Sequence, residues 1–189
     1  MTATGSLART VAASLRAYPG FPEPGVLFQD LGPLYATPGL LTELASAVID
    51  RYAGAFDAVA AIEARGFVLG AAVAQQARKP LVLARKAGKL PGELHTVTYS
   101  LEYGEAVLQT QAGVFAPGVR VLLVDDVLAT GGTLAAAGRL VELGGGRVAG
   151  YAVVVTIAPL GGPRRLAGIP GFSVLTLPGE NADGAGDPP

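Results

Sequence analysis

The run VLLVDDVLATGGTL at residues 121–134 constrains this chain more than any other feature. Its first four positions, Val121, Leu122, Leu123 and Val124, are all apolar, so they read as a strand covered on both faces. Paired aspartates follow, then a loop of small residues. Thr130, Gly131, Gly132 and Thr133 have the side chains that let backbone N–H groups close around an anion at a helix N-terminus. The order is therefore strand, turn, helix start. Asp125 and Asp126 would repel a bare phosphate nearby, so the ligand must also offer hydroxyls, or a metal, to the carboxylates. A ribose phosphate meets both demands. The loop is not a P-loop, because Gly132 is followed by Thr133 and Leu134 where that pattern needs Lys and Ser or Thr. The glycine fingerprint for dinucleotides is missing as well. An isolated Asp pair at a strand end is ordinarily a solvated turn or cap. It is the whole string that favours a ligand site.

The remaining composition narrows the class. With 189 residues, 50% hydrophobic and 15% charged, the chain can bury a substantial core in one domain, expected over residues 1–178. The apolar content lies in short Val, Leu and Ala runs, and Glu63 and Arg65 interrupt the most membrane-like stretch near residues 58–74, so no transmembrane helix is expected. Fourteen basic and 15 acidic residues give a net charge of −1, which supplies no basic field for a nucleic acid polymer. Any nucleotide is then a small ligand. Cysteine is absent, which excludes disulfides, thiolate chemistry and Cys-based zinc sites. The N-terminal stretch 3–17 lacks the apolar core of a secretory signal and has the periodicity of a packed helix, so a cytoplasmic protein is expected. Residues 179–189, GENADGAGDPP, offer nothing to bury and are expected to be disordered.

Periodicity predicts helices over residues 6–17, 38–52, 66–78 and 132–143, and strands over 57–62, 81–84, 119–124, 147–157 and 172–177. Pro19, Pro22 and Pro24 force an extended segment from Phe21 to Asp30. Residues 96–103 and 106–111 read as a hairpin turning at Gly104. Strands alternating with helices imply an α/β fold, a mainly parallel twisted sheet flanked by helices with right-handed crossovers. Ligands on such sheets bind beyond the carboxyl ends of the strands. Residues 63–66, 85–89 and 125–133 should meet there. Arg65, Arg85, Lys86 and Lys89 then stand opposite a carboxylate pair and an N–H cradle, which suits a second, highly charged anion such as pyrophosphate. Singly, each cation reads as surface charge, and Phe21 and Phe28 as core or loop anchors, although a flat ring can also stack a base. His95, the only histidine, reads as an exposed loop residue.

Five strings in order extend the pattern: YPGFPEPGVLFQD at 18–30, EARGFVLG at 63–70, RKAGKLPGE at 85–93, YSLEYG at 99–104 and VDDVLATGGT at 124–133. In these strings, spanning about residues 18–177, the chain resembles the adenine branch of the type I phosphoribosyltransferase family. The VDD…TGGT loop alone indicates only phosphoribosyl pyrophosphate binding, and the RKAGKLP and SLEYG strings point to the adenine branch. The resemblance implies magnesium-dependent transfer of ribose phosphate to N9 of adenine, giving AMP and pyrophosphate with inversion at the anomeric carbon. It implies that Asp125 and Asp126 engage the ribose hydroxyls and stabilise developing positive charge. The backbone of Ala129, Thr130, Gly131, Gly132 and Thr133 would hold the 5′-phosphate, and Arg65, Arg85 and Lys89 would face pyrophosphate. Magnesium would be held mainly through substrate oxygens, with no direct protein ligand assigned.

The base would sit on a segment over residues 18–35, against Phe28, read partly by backbone groups near Leu27. Members of the family commonly carry Arg after that Phe, where this chain has Gln29. The flexible hairpin loop would fold over the site and exclude water, with Glu102 handling the purine proton and Tyr103 covering the pocket. A homodimer is the family expectation. Two other readings share the cradle: a xanthine or hypoxanthine-guanine phosphoribosyltransferase, and a non-catalytic sensor of phosphoribosyl pyrophosphate. The sensor reading usually requires a DNA-binding segment, and the seventeen or so residues before the Pro-rich stretch are too few for one.

Overall fold

In the computed structural model, residues 3–101 and 104–178 are described. Glu102, Tyr103 and the tail from residue 179 lie outside them. One long sheet runs β10–β9–β7–β3–β4–β6–β5. Its strands are β3 (Ala58–Ile62), β4 (Leu81–Lys86), β5 (Leu94–Leu101), β6 (Gly104–Gln111), β7 (Arg120–Val124), β9 (Arg147–Ile157) and β10 (Gly171–Leu177). The two-residue strand β8 (Val127–Leu128) adds to β9. Pairings from β10 through β4 are parallel, and the β5–β6 hairpin joins β4 antiparallel. The α/β class and the mainly parallel sheet are as expected.

Alternation along the central strands explains the two-layer core. Val59, Leu122, Val124, Ala152 and Val154 face one cluster with Leu44, Val48, Leu69 and Val73. These last four belong to α3 (Leu40–Arg51) and α4 (Gly66–Ala77). Ala60, Ile62, Val121, Leu123 and Val153 face the other, filled by Leu134, Leu140 and Val141 of α5 (Gly132–Leu143). Both faces of β7 are thus covered, and Val121 to Val124 are wholly buried. That is the condition under which four apolar residues in a row are favourable.

Several boundaries differ from the periodicity reading. The first helix, α1 (Ala3–Ser14), stops earlier than expected, because Arg16–Pro19 forms an exposed strand β1 that pairs with β2 (Leu27–Asp30). Pairing across the Pro-rich loop outweighs the helical pattern of its last turn. A short helix α2 (Gly32–Tyr35) precedes α3, and α6 (Gly162–Arg165) follows a 3₁₀ turn at Ala158–Leu160. Both are single turns, too short for a periodicity to show. His95 is a half-buried residue of β5 and not an exposed loop residue, since the hairpin begins at Leu94. Among the described residues no helix is long and apolar enough to cross a membrane.

Candidate active site

The strand order puts β3 between β7 and β4, so the segments that leave these strands meet at one edge. Ala61 pairs with Val124 and Ile62 with Ala84, which sets Glu63 level with Asp126 on one side and Arg85 on the other. A cleft of about 690 Å³ opens there. It is lined by Glu63, Ala64, Arg65, Lys86, Tyr99, Asp125, Asp126, Ala129 and Thr133, among others. A second cavity of about 580 Å³, against Tyr151, Thr156, Arg164 and Phe172, contains none of the converging acidic groups.

The two aspartates are fixed by their backbones. The Asp125 N–H donates to Ala152 O at 3.1 Å, and the Asp126 carbonyl accepts from Val154 and Val155, both at 3.0 Å. The Asp126 N–H in turn donates to Asp125 Oδ1 at 2.9 Å. Burial and the adjacent Asp126 charge push the Asp125 carboxyl well above the usual carboxylate range. Such a pair holds its full negative charge readily only when a cation or developing positive charge arrives between the carboxylates. Gly66, at the start of α4, makes that packing possible. A Cβ there would meet Asp125 Oδ1 at 2.7 Å and Asp125 Cα at 2.9 Å.

Beyond β8 the chain turns at Gly131, whose φ of +80° is the left-handed conformation that favours glycine, and α5 begins at Gly132. No side chain caps this terminus. The N–H groups of its first turn have no intrahelical acceptor, and the helix dipole adds partial positive charge. The cradle is held from behind, since a Cβ on Gly131 would meet Gly162 O at 2.9 Å. The Thr133 hydroxyl donates to Tyr99 OH at 3.5 Å, which ties the loop to the hairpin.

The cations do not act alike. Arg65 lies with Nε 2.6 Å from Asp126 Oδ2, close enough for an ion pair although its N–H is not aimed for a hydrogen bond. The same guanidinium stands 5.0 Å from the centre of the Phe28 ring and donates to Gln29 O at 3.4 Å. Arg85 instead forks onto Glu63, at 3.2 Å to Oε2 and 3.3 Å to Oε1, and donates to Lys89 O at 3.1 Å. The Lys86 N–H adds a bond to Glu63 Oε2 at 2.9 Å. Burial alone would raise the Glu63 carboxyl, but these hydrogen bonds and the charges of Arg85 and Lys89 outweigh it and hold it below the usual range. Lys86, and neither Arg85 nor Lys89, supplies the second cation lining the cleft.

The β1–β2 ribbon separates residues that the sequence places side by side. Phe28 faces Arg65 and meets Phe21 edge-on with ring centres 5.0 Å apart. Leu27 and Gln29, one position either side, line a different cleft with Ala12, Leu15, Ile157 and Pro159. Only the Gln29 carbonyl reaches the Arg65 side. Tyr99, in the cleft wall, and Tyr35, whose hydroxyl is buried without a partner, were not singled out from the sequence. Tyr99 carried a signal, as the strand residue facing the loop within the YSLEYG string. Tyr35 carried only its polarity in an otherwise apolar GPLYA run.

Comparison with known proteins agrees with this fold. The family model described as the phosphoribosyl transferase domain matches residues 32–165. The adenine phosphoribosyltransferase of Clavibacter michiganensis subsp. michiganensis is 51% identical over 167 residues, covering 88% of this chain and 95% of that protein. The crystal structure of adenine phosphoribosyltransferase from Rhodothermus marinus superposes with a TM-score of 0.87 at 39% identity, over 92% of this chain and 99% of that one. The Saccharomyces cerevisiae enzyme, complexed with an imino-altritol bisphosphate and adenine, gives 0.85 at 37% identity over 90% and 99%.

Proposed function

The chain belongs to the phosphoribosyltransferase family, and from that premise we propose that it is an adenine phosphoribosyltransferase. Adenine N9 attacks C1′ of phosphoribosyl pyrophosphate, the bond from C1′ to the pyrophosphate oxygen breaks, and AMP and pyrophosphate leave. One observation carries the reading: a single cleft joins a carboxylate pair, an uncapped helix N-terminus and Arg65 beside an aromatic ring.

Each group has a task in such a transfer. The backbone of Ala129, Thr130, Gly131, Gly132 and Thr133 holds the 5′-phosphate on the helix terminus. Asp125 and Asp126 accept from the ribose hydroxyls, and their charge favours the oxocarbenium-like sugar as the leaving group departs. Arg65 turns to the pyrophosphate with Lys86 across the cleft. Arg85 and Lys89 keep Glu63 charged and the loop in place, within the field that the diphosphate enters. Phe28 supports the base, read by backbone groups near Leu27 and Gln29. Glu102 and Tyr103, outside the described residues, are proposed to handle the purine proton and to cover the pocket.

Magnesium fits this donor set. Among the described residues no group of three or more His, Cys, Asp or Glu could hold a metal ion, whereas the dyad can meet an ion carried by substrate oxygens and water. When bound it would neutralise the diphosphate. A cytoplasmic homodimer is proposed on family grounds, and light scattering at assay concentration tests the association.

The specificity assay offers phosphoribosyl pyrophosphate and magnesium with adenine, hypoxanthine, guanine, xanthine or orotate in separate reactions, and follows pyrophosphate release. Adenine should be strongly preferred. Equal or faster turnover of a 6-oxopurine would reject the adenine assignment. Tight binding of the activated sugar without release from any base would favour the sensor reading.

A further inference from the structure

Tyr35 closes α2, directly after the β2 strand that carries Phe28. Its ring packs on the cluster that contains Val124, and Val127 packs on the same cluster, so Tyr35 shares its apolar bed with the residues on both sides of the dyad. Its hydroxyl oxygen is buried and has no hydrogen-bond partner. Asp126 Oδ2 is in the same condition. A donor and an acceptor, both shut off from water and both unmade, are costly separately and complementary together. Burial, then the charge of Asp126, push the Tyr35 hydroxyl up, so it stays protonated and able to donate.

The present neighbour of Asp126 Oδ2 is not a permanent one. The Arg65 side chain is 43% exposed, while that of Asp126 is 6% exposed. Arg65 is thus the exposed member of the pair and is free to reorient toward an anionic ligand. Once it turns away, Asp126 becomes a buried charge without a counter-ion, a strongly unfavourable state unless another donor replaces the guanidinium.

We propose that Tyr35 is a positioning residue of the reaction: its hydroxyl takes over Asp126 Oδ2 when Arg65 turns from that carboxylate to the anionic leaving group. The handover keeps Asp126 hydrogen-bonded and aimed at the sugar while Arg65 is occupied elsewhere. It rests on the phosphoribosyl transfer reading for its role in turnover, but the contact itself can be tested without substrate.

The test is Tyr35→Phe, which removes one oxygen and keeps the ring, made in the wild type, in Arg65→Met and in Asp126→Ala. Melting of the substrate-free proteins reads the contact. With Arg65 present the hydroxyl makes no bond, so Tyr35→Phe should leave Tm unchanged or raise it. In Arg65→Met it should lower Tm by about 4 °C or more, because the Tyr35 hydroxyl then serves an Asp126 that has lost its counter-ion. In Asp126→Ala the effect should vanish. Equal shifts in all three backgrounds would overturn the proposal. Steady-state rates read the role: Tyr35→Phe should lower kcat for adenine about tenfold, with KM for both substrates held within about twofold. An unchanged kcat beside a coupled melting shift would refute the catalytic handover. If the wild type forms no AMP at all, the adenine reading falls, and the melting cycle still decides whether Tyr35 serves Asp126.

Discussion

Replacing Gly66 with alanine tests the packing that builds the site. On propensity alone the change should stabilise α4, since alanine is favoured over glycine in a helix by about 1 kcal/mol. The local geometry predicts the reverse. The added Cβ would lie 2.7 Å from Asp125 Oδ1, 2.9 Å from Asp125 Cα and 3.0 Å from Val124 O. Comfortable contacts lie at about 3.5–4.0 Å, so α4 and the end of β7 must part by roughly 0.5–1 Å. Two of the three atoms are backbone, and Asp125 is pinned to Ala152, so no rotamer change relieves the clash. One turn on, Gly70 sits so close to Ala61 that the helix cannot pivot about its second turn. Overpacking of this kind costs about 1–3 kcal/mol, and after the helical gain a net loss of up to about 2 kcal/mol should lower Tm by up to roughly 8 °C. Arg65 and Asp125 move apart with it, and misplacement on this scale should cut kcat about 10- to 100-fold. Differential scanning fluorimetry and an AMP-formation assay check both parts. A Gly66→Ala protein that melts at or above the wild-type temperature with full turnover would falsify the reasoning.

Other expectations follow from charge and geometry. Burial and Asp126 raise the Asp125 carboxyl in the folded chain above its ordinary 3.8, so its favourable contribution is present below that value and is lost as pH rises through the folded-state value. Asp125→Asn should therefore raise Tm at pH 7 to 8 by a few degrees, at about 2–4 °C per kcal/mol, with the gain shrinking toward pH 4; a lower Tm at neutral pH refutes the assignment. In the same assays Asp125→Asn with Asp126→Asn should reduce turnover at least about a hundredfold, and unchanged rates would remove the dyad from the mechanism. Hydrogen bonds from Arg120 hold Asp57 down at about 2, so Asp57→Asn should lose stability above pH 4. Its melting curve should converge on the wild type as pH falls through 2; a constant gap across that window would show the pair to be inert. Glu102→Gln should keep substrate affinity and slow the chemical step, and weakened binding with a normal maximal rate would argue against a proton-handling role.

What could be read from residues alone was whatever the chain encodes locally. Val121 to Val124 declare a doubly covered strand, the glycines after Ala129 declare a turn into a helix, and both hold wherever the segment sits, because sterics and burial act on neighbouring residues. The β1–β2 ribbon, the single-turn helices and His95 within β5 were not legible, since short elements form through partners distant in sequence. Side-chain allegiance was decided in three dimensions as well. Arg85 and Arg65 look equivalent in sequence, yet strand order gives one to Glu63 and the other to Asp126. Leu27, Phe28 and Gln29 are consecutive, yet the pleat sends Phe28 to Arg65 and its neighbours to a different cleft. The burial of the Tyr35 hydroxyl and of Asp126 Oδ2 belongs wholly to the tertiary structure. No periodicity records that a hydroxyl and a carboxylate oxygen far apart in sequence have both been buried without a hydrogen-bond partner.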